Sequence, residues 1–121
     1  MTALYLKVSG APRVRLQLGW IRGQQCPRFH TDFVRLRLIC TYVGPGTEWI
    51  DERWLDRDLA ARCHAHEAPL RPGGAVSRLE RFTVGLMKGR AFPGNERHGL
   101  VHRSPPLEGG PRLVLILNEG K

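Results

Sequence analysis

Residues Val34 to Tyr42 read VRLRLICTY, and the reading of the fold starts from them. Val34, Leu36, Leu38, Cys40 and Tyr42 take the even positions. Arg35, Arg37, Ile39 and Thr41 lie between them. Two-residue alternation predicts a strand with one buried and one wet face. Continued backwards through FHTD, the even set reaches Asp32 and His30. A regular strand would aim both at the side of the core leucines. A buried carboxylate is costly unless it is paired or bound to a cation. The pair therefore asks for a partner, and a divalent metal is a good candidate.

Working outward, VGPGTEW after Tyr42 predicts a tight turn, with Pro45 fixing its own φ and Gly46 free to take a positive one. Thr47 to Ile50 resumes as a short strand. Ala3–Ser9 and Arg13–Trp20 alternate and predict strands. Arg78–Gly89, LVHRS (Leu100 to Ser104) and Arg112–Asn118 predict three more. Asp51–His66 predicts a helix, with acidic residues early and Leu55, Leu59 and Cys63 four apart on one face. About seven strands, one short helix and many Gly/Pro turns make a mainly β protein, a sandwich or small barrel, with residues 1–121 as a single domain.

The chain has 121 residues, enough for one modest core. No apolar run is long enough to span a membrane, and the start, MTALYLKVSG, lacks the regions of a signal peptide. A cytoplasmic protein is expected. Cys26, Cys40 and Cys63 are odd in number, match no zinc-ribbon spacing and read as reduced thiols. The net charge of +8 comes from sixteen arginines and three lysines against eleven acidic residues. Such a charge favours anions, nucleic acid included. The arginines are dispersed, however, without interleaved aromatics, so nucleic-acid binding ranks below a small-molecule site. No nucleophile elbow, P-loop or dinucleotide fingerprint supports hydrolase, NTPase or hydride-transfer chemistry.

His30 and Asp32 supply two metal donors from one strand. His102, in a short apolar strand before a Pro-rich turn, supplies a third. Two histidines and a carboxylate form the facial triad that leaves positions open on non-haem iron. Arg112, ten residues on, opens the last strand, where a guanidinium can clamp a carboxylate with two parallel hydrogen bonds. Tyr42 shares the inward parity of Cys40. Its hydroxyl is a second candidate for cosubstrate binding, with core packing as the alternative. His98 reads as an exposed loop residue, and Arg103 points away from His102. CHAHEA, Cys63 to Ala68, reads as an amphipathic helix end whose histidines complement the helix dipole.

Taken in order, FHTD, CTYVGPGTEW, GLVH and PRLVLIL resemble the double-stranded β-helix, the jelly-roll or cupin-like core, of Fe(II)/2-oxoglutarate dioxygenases. The resemblance implies iron on His30, Asp32 and His102, and 2-oxoglutarate held through its distal carboxylate by Arg112. It also implies oxidation of a C–H bond in an unidentified substrate, a small molecule or otherwise. Such enzymes usually carry extra bracing helices, so the chain reads as a shortened core. Cys26 to Asn118 also resembles a widespread bacterial domain of unknown function, through CPRFHTD, RLICTYVGPGTEW, LMKG, FPGN and LVHRSPP. Two rivals stand beside the oxygenase reading. One is a non-catalytic protein holding Zn(II) on the same residues, for metal handling. The other is an inactive module for an anionic ligand or nucleic acid.

Overall fold

The computed structural model describes residues 1–62, 67–106 and 110–121. Two helices, α1 (Thr2–Ser9) and α2 (Arg57–Arg62), accompany seven strands among the described residues. These are β1 (Val14–Ile21), β2 (Leu36–Val43), β3 (Glu48–Trp49), β4 (Ser77–Arg78), β5 (Gly85–Lys88), β6 (His102–Arg103) and β7 (Arg112–Glu119). They form two antiparallel sheets, one ordered β1-β7-β2-β5 and the other β4-β3-β6. An isolated antiparallel bridge between His30 and His102 extends the second sheet beyond β6. The fold is mainly β. No helix among the described residues is long and apolar enough to cross a membrane.

Ala3–Ser9 is a helix, not a strand. The alternating Leu4 and Val8 that suggested a strand are about half exposed. The buried residues are Tyr5 and Ser9, four apart on one helical face. Gly10 ends the helix in the left-handed conformation at φ 68°, donating its N–H to the Leu6 carbonyl. The Tyr5 hydroxyl donates to the Leu36 carbonyl at 2.9 Å, which ties α1 to β2. Residues 51–66 also depart from one continuous helix: a 3₁₀ turn at Glu52–Trp54 precedes α2, with extended Leu55 between them. Cys63 to His66 lie outside the described residues, so the CHAHEA reading does too.

β2 is buried on both faces. Leu36, Leu38 and Cys40 pack with Tyr5, Leu115 and Leu117 beneath α1. Ile39, on the face expected to be wet, packs with Met87 and Val114 between the two sheets. Thr41 is buried as well. The second sheet covers this face, which alternation within one strand cannot reveal. At the outer edge, β1 leaves Leu16, Leu18 and Trp20 more than half exposed.

The predicted strand from Arg78 to Gly89 is two strands in different sheets. Phe82 breaks it with φ 66°, a conformation uncommon outside glycine. The turn after β2 also differs from expectation. Gly44, not Gly46, takes the positive φ, at 82°. Gly46 is needed for space: a Cβ there would stand 1.7 Å from the Leu79 carbonyl oxygen.

Candidate metal centre

His30, Asp32 and His102 come together, and their donor atoms all lie within 4.8 Å of one another. The elements that aim them differ from those expected. His30 exchanges both backbone hydrogen bonds with His102, each at 3.0 Å, so the two side chains leave the same face of the second sheet. Asp32, two residues on, follows His30. The chain then bends at Phe33 and Arg35 before β2 begins at Leu36. The parity drawn back from Leu36 therefore fails across this crossing. The group opens into the space between the sheets, opposite the α1 side where Leu36, Leu38 and Cys40 pack.

Both imidazoles are held in one tautomer. His30 Nδ1 lies 2.7 Å from the Arg28 carbonyl oxygen, and His102 Nδ1 lies 3.0 Å from that of Leu100. A ring nitrogen facing a carbonyl must carry the hydrogen, which leaves Nε2 as the acceptor of a neutral ring. Both Nε2 atoms face Asp32, at 3.4 Å from Oδ1 for His30 and 3.0 Å from Oδ2 for His102. Acceptor facing acceptor needs a cation between them, either a proton or a metal. A metal takes such donors at about 2.0–2.2 Å, which places neighbouring donors roughly 3 Å apart. The donor set fits a divalent ion. The two rings are tilted by 51° to each other, with centroids 4.6 Å apart.

The electrostatics agree with this geometry. Hydrogen bonds from His102 and His30 hold the Asp32 carboxyl far below the usual carboxylate range. The bond to Asp32 raises the His30 pKa against the lowering effect of burial. Arg37 also reaches Asp32, with Nη1 2.5 Å from Oδ2, while its Nε donates to Asn118 Oδ1 at 2.9 Å. Alternation had assigned Arg37 to solvent. Its place in the group follows from the second sheet, which turns the odd face of β2 inward.

Arg112 is 2% exposed. Its guanidinium donates to Pro45 O at 2.7 Å, Ser104 Oγ at 3.1 Å, and Thr41 Oγ1 and Thr47 Oγ1 at 3.4 Å each. All four acceptors are neutral, and no carboxylate among the described residues pairs with it. Burial, with Arg78 nearby, lowers its pKa. Such a charge is stable only where hydrogen bonds surround it or an anion joins it. A cavity of about 110 Å³ is lined by the polar side chains of His30, His102, Arg37 and Arg112, with Ile39 and Val114 among its apolar walls. Drug-sized ligands occupy pockets from about 300 Å³, so this space suits a small organic acid.

Tyr42 is not brought to this cavity. It packs with the cluster beneath α1, and its hydroxyl lies 3.9 Å from Met1 Sδ. Arg103 pairs with Glu48 at 2.9 Å and stacks over Phe29, away from the histidines. His98 is an exposed loop residue beside Glu52. Thr41, Thr47 and Ser104 were not singled out as site residues in the sequence. Cys26, read only as a thiol, lines the cavity with its Sγ 3.4 Å from His30 Nδ1.

No curated protein and no solved structure matches the chain. One family does: a match to the family described as "Protein of unknown function (DUF1826)" spans residues 1–118, and the chain belongs to that family.

Proposed function

We propose that the chain is a metal-dependent oxygenase of the Fe(II)/2-oxoglutarate type, built on a double-stranded β-helix. One observation carries the reading: both histidines of the His30, Asp32 and His102 group line the same small cavity as a buried arginine that has no carboxylate partner among the described residues. A metal store alone gives no reason to bury a cation there. A keto acid needs both ends, one for its chelating atoms and one for its far carboxylate.

The strand pairing supports the fold reading. With the His30 bridge counted as a short strand, the pairs nest as β1 with β7, His30 with β6, β2 with β5, and β3 with β4. A long hairpin of four nested pairs, rolled so that alternate pairs fall in opposite sheets, is a jelly roll.

His30, Asp32 and His102 would hold the metal. When bound, it would supply activation of oxygen for oxidising a C–H bond. The protein's own part is orientation. Arg28 and Leu100 carbonyls fix the ring tautomers, and Arg37 fixes Asp32. Arg112, braced by three hydroxyls, receives the far carboxylate in a site too small for a large competitor. Apolar side chains, Ile39, Met87 and Val114 among them, line the rest of the cavity.

Anaerobic titration of metal-free protein with Fe(II), then 2-oxoglutarate, tests this by visible absorption. A charge-transfer band on adding the keto acid, absent in His102→Ala, is expected. Arg112→Met should weaken keto-acid binding at least tenfold and leave metal affinity within about threefold, since one charge-assisted pair is worth about 1.5–3 kcal/mol. Tight Zn(II) uptake with no keto-acid band in iron-loaded protein would defeat the oxygenase reading in favour of metal handling. Cys26 near His30 is the observation that favours that second reading, because thiols suit zinc.

A further inference from the structure

His30 borders two spaces. One is the small cavity with Arg112. The other is a cleft of about 570 Å³, five times as large. The cleft has apolar walls at Phe29, Val101 and the α2 residues Ala60 and Ala61, with Arg57 and Arg97 along it. The two arginines differ. Arg57 is committed to Glu52 through contacts of 2.9 and 2.6 Å, and to the Gly99 carbonyl at 3.2 Å. Arg97 is exposed and makes no hydrogen bond or ion pair among the described residues. Its charge is therefore available to a ligand. Small alanines on α2 leave room that larger residues would fill.

We infer that this cleft binds the substrate, and that the substrate is an amphipathic acid: a carboxylate or phosphate facing Arg97, on an apolar body lying against Phe29, Ala60, Ala61 and Val101. The inference rests on the oxygenase reading, which leaves the cleft to the substrate once the inner cavity holds the keto acid. Arg57, neutralised by Glu52, shapes the wall and adds little net charge. A free acid, not a neutral or cationic molecule, is selected by Arg97, the one arginine among the described lining residues without an ion pair. The apolar walls add affinity in proportion to the area they cover.

The test uses the metal-free chain and three probes with one ring and different heads: phenylacetate, phenyl phosphate and phenylacetamide. Backbone amide NMR shifts report both affinity and place. The two acids should move the signals of Ala60, Ala61 and Val101 and bind at least fivefold more tightly than the amide. Arg97→Gln should remove that preference and leave phenylacetamide unchanged. The stronger of the two acids identifies the head group as carboxylate or phosphate. Equal binding of all three, no binding, or shifts centred on Arg112 and unaltered by Arg97→Gln would each overturn the inference. Metal titration of Arg97→Gln separates the two readings. Normal metal and keto-acid binding with no acid preference in the cleft sinks this inference alone. Acid binding at the cleft without any metal uptake sinks the oxygenase reading and leaves an anion-binding cleft.

Discussion

Asp32 takes contacts from three side chains, His30, His102 and Arg37, and two of them share one oxygen. Arg37 is the one that can be removed without touching a donor. Its replacement by Gln should lower metal affinity about 10–100-fold, as is usual when the partner orienting a ligand is lost. Arg37→Lys should recover only part of this, since it keeps the charge but not the fork that spans Asp32 and Asn118. A chelator-competition titration measures both. Unchanged affinity in Arg37→Gln would show that the two histidines alone orient the carboxylate. At this scale the sequence pointed to the three residues that meet, but not to what supports them. His30 and Asp32 share parity wherever the chain runs, so their pairing was legible. Arg37 and Thr41 looked like surface residues because their types are polar, and nothing in one strand's pattern shows a second sheet above it. The same blindness led Tyr42 to be linked with the site: its parity with Cys40 is real, but that face lies under α1.

The turn joining β2 to β3 links the two sheets and sets Pro45 O against Arg112. Gly46 passes so close to Leu79 that any side chain must displace backbone. Gly46→Ala should cost roughly 1–3 kcal/mol, the usual range for forcing extra volume into a packed site. It should also weaken keto-acid binding by moving a hydrogen-bond acceptor of Arg112. Gly23→Ala is the contrast, since its Cβ would meet nothing within 4 Å. A change there should stay within about 0.5 kcal/mol. Urea unfolding of both variants checks the difference, and equal costs would refute the close-approach argument. Strands β1, β2 and β7 were readable because each is long and patterned. Ala3–Ser9 was misread because seven residues of alternating size fit either period, and Tyr5, which decides the matter, is buried through a contact with distant Leu36. The split of Arg78–Gly89 depends on Phe82 in a conformation its residue type rarely takes, which no local propensity signals.

The candidate metal group joins the His30 approach and β6 in one sheet to β2 in the other through Arg37. Filling it should therefore stabilise the chain globally. Free Zn(II) at 100 times its dissociation constant adds about 2.7 kcal/mol. For a chain of this size that raises Tm by roughly 8–15 °C. The increment should depend on pH. In the metal-free fold, the bond to Asp32 raises the His30 pKa. Its stabilising contribution is then complete below the unfolded value of about 6.5 and lost as pH rises through the higher folded value. Asp32 behaves oppositely: its depressed pKa contributes above the unfolded value of about 3.9 and is lost as pH falls towards the folded one. Between pH 6 and 8 the carboxylate is constant, so only the histidine side changes. Protons and metal compete for the same Nε2 atoms. Raising the pH thus removes the proton's support from the empty group and removes the metal's competitor at once. At fixed Zn(II), the rise in Tm should be larger at pH 8 than at pH 6, and His102→Ala should abolish it. Thermal melts at both pH values, with and without metal, measure this directly. An increment independent of pH, or one that survives in His102→Ala, would place the metal on other residues and leave Asp32 bridging two imidazoles by protons alone.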